Sequence, residues 1–188
     1  MRVPVIDLGS QWTHRIWRTL RDLECDSEIM PPDVPFAKIA DADGLVLSGG
    51  AVRLAKGEDS KISKCHALLD EFKKPVMGVC AGQQFLALHF GGKVAPAKTP
   101  EFGNVGLEVV EANDLFAGMP KRFTVWASHN DEVKSAPGFE LLASSSDCKW
   151  HAFKHRRLPI YGTLFHPEVV HTQHGAEIYG NFVRVCKR

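Results

Sequence analysis

The chain has 188 residues, 44% of them hydrophobic and 24% charged, the profile of one ordinary globular domain spanning residues 1–188. Lys and Arg number 23 against 22 Asp and Glu, so the near-neutral balance offers no attraction to nucleic acid or to an anionic membrane surface. No stretch approaches about 18 uninterrupted apolar residues, which excludes a membrane-spanning helix, and the five widely spaced cysteines without a Cys-x-x-Cys pair predict reduced thiols and a cytoplasmic location.

Short apolar runs alternate with amphipathic segments through the first half. Val3–Leu8 reads as a strand, Thr13–Leu23 as a helix, and Ser27–Met30 and Gly44–Leu47 as strands. A helix over Lys61–Phe72, a strand over Pro75–Gly78 and a helix over Ala81–Phe90 follow. This rhythm predicts an α/β fold with an open, mainly parallel central sheet and helices on both faces. Sites in such sheets form at the carboxyl ends of the strands, where Gly9-Ser10, Ser48-Gly49-Gly50 and Cys80 would gather. From Gly103 onward the pattern turns strand-rich, with runs at Val105–Val110, Phe123–Ala127, Glu140–Ala143 and Pro159–Phe165, before a closing helix over Ala176–Val185.

Gly78-Val79-Cys80-Ala81-Gly82-Gln83-Gln84 carries the most chemistry. A Gly-x-Cys-x-Gly sequence between a strand and a helix is the cysteine counterpart of the Gly-x-Ser-x-Gly nucleophile elbow, whose sharp turn lifts the nucleophile out of the sheet. The following helix N-terminus favours thiolate over thiol. A packed, inert core thiol remains open from this pentapeptide alone. A nucleophilic thiol needs a base, and the base an orienting group. His166-Pro167-Glu168, after the last strand, supplies both, with extended backbone expected to set the two side chains on one face.

These residues resemble the class I glutamine amidotransferases, through the elbow at Gly78–Gln84, His166-Pro167-Glu168, and Ser48-Gly49-Gly50 where that family has its oxyanion loop. The resemblance covers essentially the whole chain. It implies a catalytic triad of Cys80, His166 and Glu168, and an oxyanion hole from the backbone N–H groups of Gly50 and Ala81. Asp7–Trp12, Ser128-His129-Asn130-Asp131 and the stretch His166–Thr172 with Gly175 are similar to the GMP synthetase branch. By that likeness Gln84, Ser128, His129, Asn130 and Asp131 would contact L-glutamine, the second motif as a loop after the Val125-Trp126 strand. The chain departs from the common pattern at Gln83, Ala51 and Trp12, where His, Pro and Tyr are usual.

A Ser-Gly-Gly-x-Asp-Ser phosphate loop is not completed, since Ala51-Val52-Arg53 follows Ser48-Gly49-Gly50, and no Walker sequence occurs. The resemblance therefore implies a separate glutaminase subunit, without a cofactor of its own, passing ammonia to an ATP-pyrophosphatase subunit that uses ATP and magnesium to aminate XMP. Docking of that partner with nucleotide bound is expected to order the oxyanion loop around Gly50, because the adjoining stretch from Ala51 to Ser60, with Lys56, Gly57, Glu58 and Asp59, reads as flexible. Service to anthranilate or carbamoyl phosphate synthesis, a non-catalytic regulatory module and a phosphate cradle at Ser48-Gly49-Gly50 are the competing readings. The nine histidines show no finger or His-Glu-x-x-His spacing, and His151 and His155 lack further ligands nearby in sequence, so no metal site is expected.

Overall fold

The computed structural model describes residues 1–57 and 62–188. Its strands are β1 (Val5–Ile6), β2 (Ile29–Met30), β3 (Leu45–Leu47), β4 (Val76–Val79), β5 (Lys93–Val109), β6 (Arg122–Ser135), β7 (Phe139–Ser144), β8 (Ala152–His155) and β9 (Ile160–Thr163). The α-helices are α1 (Thr13–Asp22), α2 (Lys64–Glu71), α3 (Ala81–His89) and α4 (Gly175–Cys186). The strands form one sheet in the order β2-β1-β3-β4-β9-β8-β7-β5-β6.

The sheet has two halves. From β2 through β9 every pairing is parallel, and from β9 to β6 every pairing is antiparallel. The parallel half is the expected one, and the antiparallel half extends it. Alternate residues of the parallel strands enter separate cores, as a period of two requires. Val5, Val46, Met77 and Val79 pack with Ile16 and Leu20 of α1 and Ile178 and Phe182 of α4. Their neighbours Ile6, Leu45, Leu47 and Val76 pack with Leu68 and Leu69 of α2 and Phe85 and Leu86 of α3. Helices thus cover both faces, and full burial explains why these strands read as continuous apolar runs.

Register brings the critical loops to one edge. Ile6 pairs with Leu47, Leu47 with Gly78, and Val79 with Thr163, so the chain leaves β1, β3, β4 and β9 at neighbouring points. Gly9-Ser10, Ser48-Gly49-Gly50, Cys80 and His166 follow those exits directly.

Several expectations need correction. Ser128–Asp131 lies inside β6 and not in a loop after it. Partner residues Pro96 and Glu101 of β5 oppose Asp131 and His129, with a register shift between them that distorts the ladder there. The last strand ends at Thr163, short of Phe165. His166-Pro167-Glu168 forms a turn closed by Val169 N–H donating to the His166 carbonyl at 3.2 Å, because Pro suits the second position of a turn as well as extended chain. Strand β8 is an element the sequence reading missed. Of the stretch from Ala51 to Ser60, Leu54–Lys56 forms one 3₁₀ turn anchored by buried Leu54, whereas Glu58, Asp59, Ser60 and the expected helix start at Lys61 lie outside the described residues.

Candidate active site

Cys80 is the N-cap of α3, with φ 50° and ψ −106°, a conformation that a non-glycine residue adopts only when its surroundings enforce it. Two contacts do so. The Cys80 N–H donates to the Thr163 carbonyl at 2.7 Å, and the Gly82 N–H donates to the Ser48 carbonyl at 3.2 Å. Glycine is required at position 82, since a Cβ there would lie 2.5 Å from the Leu47 carbonyl oxygen. The turn faces Cys80 into a cavity of about 440 Å³, lined also by Gly50, Ala81, Gln84, Ser128, His129, Asn130, Asp131 and His166. Thus eight of the predicted site residues join Cys80 around one hollow, and Glu168 stands behind His166.

His166 Nδ1 lies 2.7 Å from Glu168 Oε1, and the Tyr179 hydroxyl of α4 donates to Glu168 Oε2 at 3.3 Å. The Cys80 thiol donates to the Ser128 carbonyl at 3.7 Å, and its charge acts on the neighbouring imidazole of His166. Burial alone would lower the pKa of His166, but attraction to Glu168 and Cys80, with the hydrogen bond to Glu168, outweighs it and raises the value to about 10. His166 therefore holds a proton at neutral pH beside the sulfur. Trp12 packs edge-on against the imidazole with ring centroids 4.5 Å apart, so the indole fills the place where an aromatic side chain was expected.

The His166 segment is stitched to β6. His166 N–H donates to the Trp126 carbonyl at 2.9 Å, and the Thr172 hydroxyl donates to the His166 carbonyl at 2.7 Å while accepting from Trp126 N–H. Thr172 is thereby a strut for the imidazole and not a cap of α4, whose N-cap is His174.

Gly50, on the loop after β3, and Ala81, at the start of α3, line the cavity with Cys80. A Cβ at Gly50 would come 2.3 Å from the Leu8 carbonyl oxygen, so only glycine lets the loop after β3 lie this close to the loop after β1. Ala81 opens α3, where the first amides have no acceptor within the helix and point outward. Gln83 is fully buried and its side-chain amide donates to the Trp150 carbonyl at 2.7 Å. It fastens α3 to the segment before β8 and does not line the cavity.

Two features were invisible in the sequence. Arg53, on the loop beyond Gly50, grips Asp131 with both ends of a fork, Nε to Oδ2 at 2.9 Å and Nη2 to Oδ1 at 2.7 Å. Glu101 receives His129 Nε2 at 2.9 Å, His151 Nε2 at 2.7 Å and the Ser145 hydroxyl at 2.7 Å. Burial would raise the pKa of Glu101, but these three donors hold it well below the usual carboxylate range. Since His129 lines the cavity, Glu101 fixes one wall of the site from behind. No local signal marks Glu101 or His151, which meet across 50 positions of chain.

Contrary to expectation, His151 does have ligand-type neighbours, because Glu101, Cys148 and His151 place ligand atoms within 4.8 Å of one another. Burial first, then Glu132 and Glu101, push the Cys148 thiol far up. A thiol must lose its proton to bind a metal, so this cluster suits a hydrogen-bonded network better than an ion.

The family model of class-I glutamine amidotransferases matches residues 4–186. The glutamine-hydrolyzing GMP synthase subunit of Thermoplasma acidophilum is 45% identical over 187 residues, 99% of this chain and 93% of the relative. The protein of the same name from Thermococcus kodakarensis is 45% identical over 98% of both chains. A crystal structure of a putative GMP synthase subunit from Thermoplasma acidophilum superposes with a TM-score of 0.95 at 45% identity, covering 100% of this chain and 94% of the other. A glutamine amidotransferase structure from Thermotoga maritima shares the fold, with a TM-score of 0.75 at 21% identity over 99% of this chain and 82% of its own. With a family model matching residues 4–186 and relatives alike over nearly the whole chain, the chain belongs to the class-I glutamine amidotransferases.

Proposed function

We propose that this chain is the glutamine-hydrolysing subunit of a two-subunit GMP synthase, supplying ammonia to a separate ATP-dependent subunit that aminates XMP. The GMP synthase relatives, alike over nearly their whole length, support the choice of branch. The observation that carries the chemistry is Cys80 on a strained elbow, facing the same cavity as a His166 that Glu168 orients.

In this reading the Cys80 sulfur attacks the side-chain amide carbon of glutamine. The oxygen of that carbonyl becomes an oxyanion, received by the backbone N–H groups of Gly50 and Ala81, each contributing on the order of 10²–10³ in rate. His166 gives its proton to the departing nitrogen, which leaves as ammonia, and a thioester remains on Cys80. Water, losing a proton to His166, then attacks the thioester and releases glutamate. Glu168 keeps the imidazole aimed and stabilises its charge. ATP and magnesium belong to the partner subunit, whose arrival is proposed to set the loop around Gly50.

Steady-state ammonia release from glutamine, with and without an ATP-dependent XMP-aminating partner and its ligands, tests this reading. Hydrolysis that rises with that partner and not with the synthase component of anthranilate or carbamoyl phosphate formation is the expected result. No ammonia release in any combination would sink the enzymatic reading, and activation by another synthase would reassign the branch.

A further inference from the structure

Among the described residues lining the cavity there is one lysine or arginine, Arg53, and one aspartate or glutamate, Asp131. They face each other in a two-pronged ion pair, and the Asp131 side chain is only 3% exposed while that of Arg53 is 33% exposed. A buried carboxylate is costly unless paired, and Arg53, the lining cation other than protonated His166, is the partner that Asp131 takes. A ligand bearing both charges can exchange that single pair for two. A ligand bearing one charge strands the other partner.

We propose that Arg53 is a specificity-determining residue: with Asp131 it forms a matched pair of charges that reads the amino-acid end of glutamine, Asp131 taking the α-ammonium and Arg53 the α-carboxylate. This rests on the reading of the cavity as a glutamine site. The planar guanidinium suits a carboxylate because its N–H donors are fixed in a fork, which an ammonium on a flexible stem does not provide. The position of Arg53 adds a consequence. It lies three residues beyond Gly50, so a ligand that draws Arg53 off Asp131 also pulls on the oxyanion loop, linking recognition at one end of glutamine to chemistry at the other.

Titration calorimetry on the intact chain can test this with three ligands: glutamine, 4-aminobutanamide, which lacks the α-carboxylate, and glutaramic acid, which lacks the α-ammonium. The wild type is expected to prefer glutamine to both. Arg53→Gln should weaken glutamine and glutaramic acid by about 10- to 100-fold, the scale of a lost charged hydrogen bond, and leave 4-aminobutanamide as tight or tighter. Asp131→Asn should weaken glutamine and 4-aminobutanamide and spare glutaramic acid. Arg53→Lys, which keeps the charge without the fork, should fall between, and it serves as the test if Arg53→Gln does not fold. Equal weakening of all three ligands, or an unchanged preference for glutamine over 4-aminobutanamide in both Arg53 variants, would overturn the assignment, as would a wild type that does not bind glutamine. A wild type that binds glutamine yet releases no ammonia with its partner would fail the hydrolytic reading and leave the charge pair standing.

Discussion

Two groups of Cys, His and Glu lie in this molecule, and they are built for opposite purposes. Cys80, His166 and Glu168 gather at the carboxyl ends of β4 and β9, whereas Glu101 of β5 meets Cys148 and His151 from the segment between β7 and β8 in the antiparallel half. In the first group the imidazole sits between the sulfur and the carboxylate, its pKa is raised to about 10, and the sulfur opens onto a cavity. In the second the carboxylate sits at the centre, receives both imidazoles and a hydroxyl, and is held ionised, while the thiol is pushed far up and is 1% exposed. Identical side-chain chemistry thus yields a candidate nucleophile in one place and a rigid brace in the other. Connectivity and access decide which.

The sharpest way to break that contrast is to remove each sulfur in turn. Cys80→Ala should lower glutamine hydrolysis by at least about 10⁴-fold, the scale of losing a nucleophile, while the partner's ammonia-dependent amination continues. Cys148→Ala should keep hydrolysis within a few-fold and cost about 1 kcal/mol of stability. Equal loss from both substitutions, measured as ammonia release and by denaturant titration, would erase the distinction.

A second test addresses the brace. Glu101→Gln takes the charge from between two imidazoles and should destabilise the fold by about 3 kcal/mol at neutral pH, as breaking a buried pair does. Because the folded pKa of Glu101 lies below its ordinary 4.5, its contribution is present above that pH and is lost as pH falls through the folded value. The gap in melting temperature between wild type and variant should therefore narrow below about pH 4.5. A gap constant from neutral pH into acid would show that Glu101 acts by shape alone.

The smallest effect expected is a shift in a titration. With His166 at about 10, glutamine hydrolysis should hold through neutral pH and fall on an alkaline limb near that value. Glu168→Gln should move the limb downward, because the carboxylate is a main support of the raised pKa. A wild-type limb already at pH 6.5, the ordinary histidine value, would contradict the geometry.

How much of this could be read from the chain depended on the distance over which the information was written. The parallel half was legible because each buried strand is a short apolar run ending in a small-residue loop, and because the elbow is a continuous seven-residue pattern. The antiparallel half was less so. Strand β5 passes through Pro96, Pro100 and Gly103, with many positions exposed, so its alternation is too weak to mark where it begins. Ser128–Asp131 reads as a turn from its composition, yet β5 holds it in a ladder. Glu101, His151 and Arg53 acquire their roles from partners 28 to 78 positions away, and no window on the sequence contains both members of any of those pairs.

The hydroxyl of Tyr179 on Glu168 has a consequence for the order in which activity can arise. Ribosomal synthesis delivers the sulfur, then the imidazole, then the carboxylate, and only afterwards the helix that steadies the carboxylate. A growing polypeptide therefore contains all three groups before it contains the hydroxyl that steadies the carboxylate, and the constellation is complete only once α4 has settled onto the sheet.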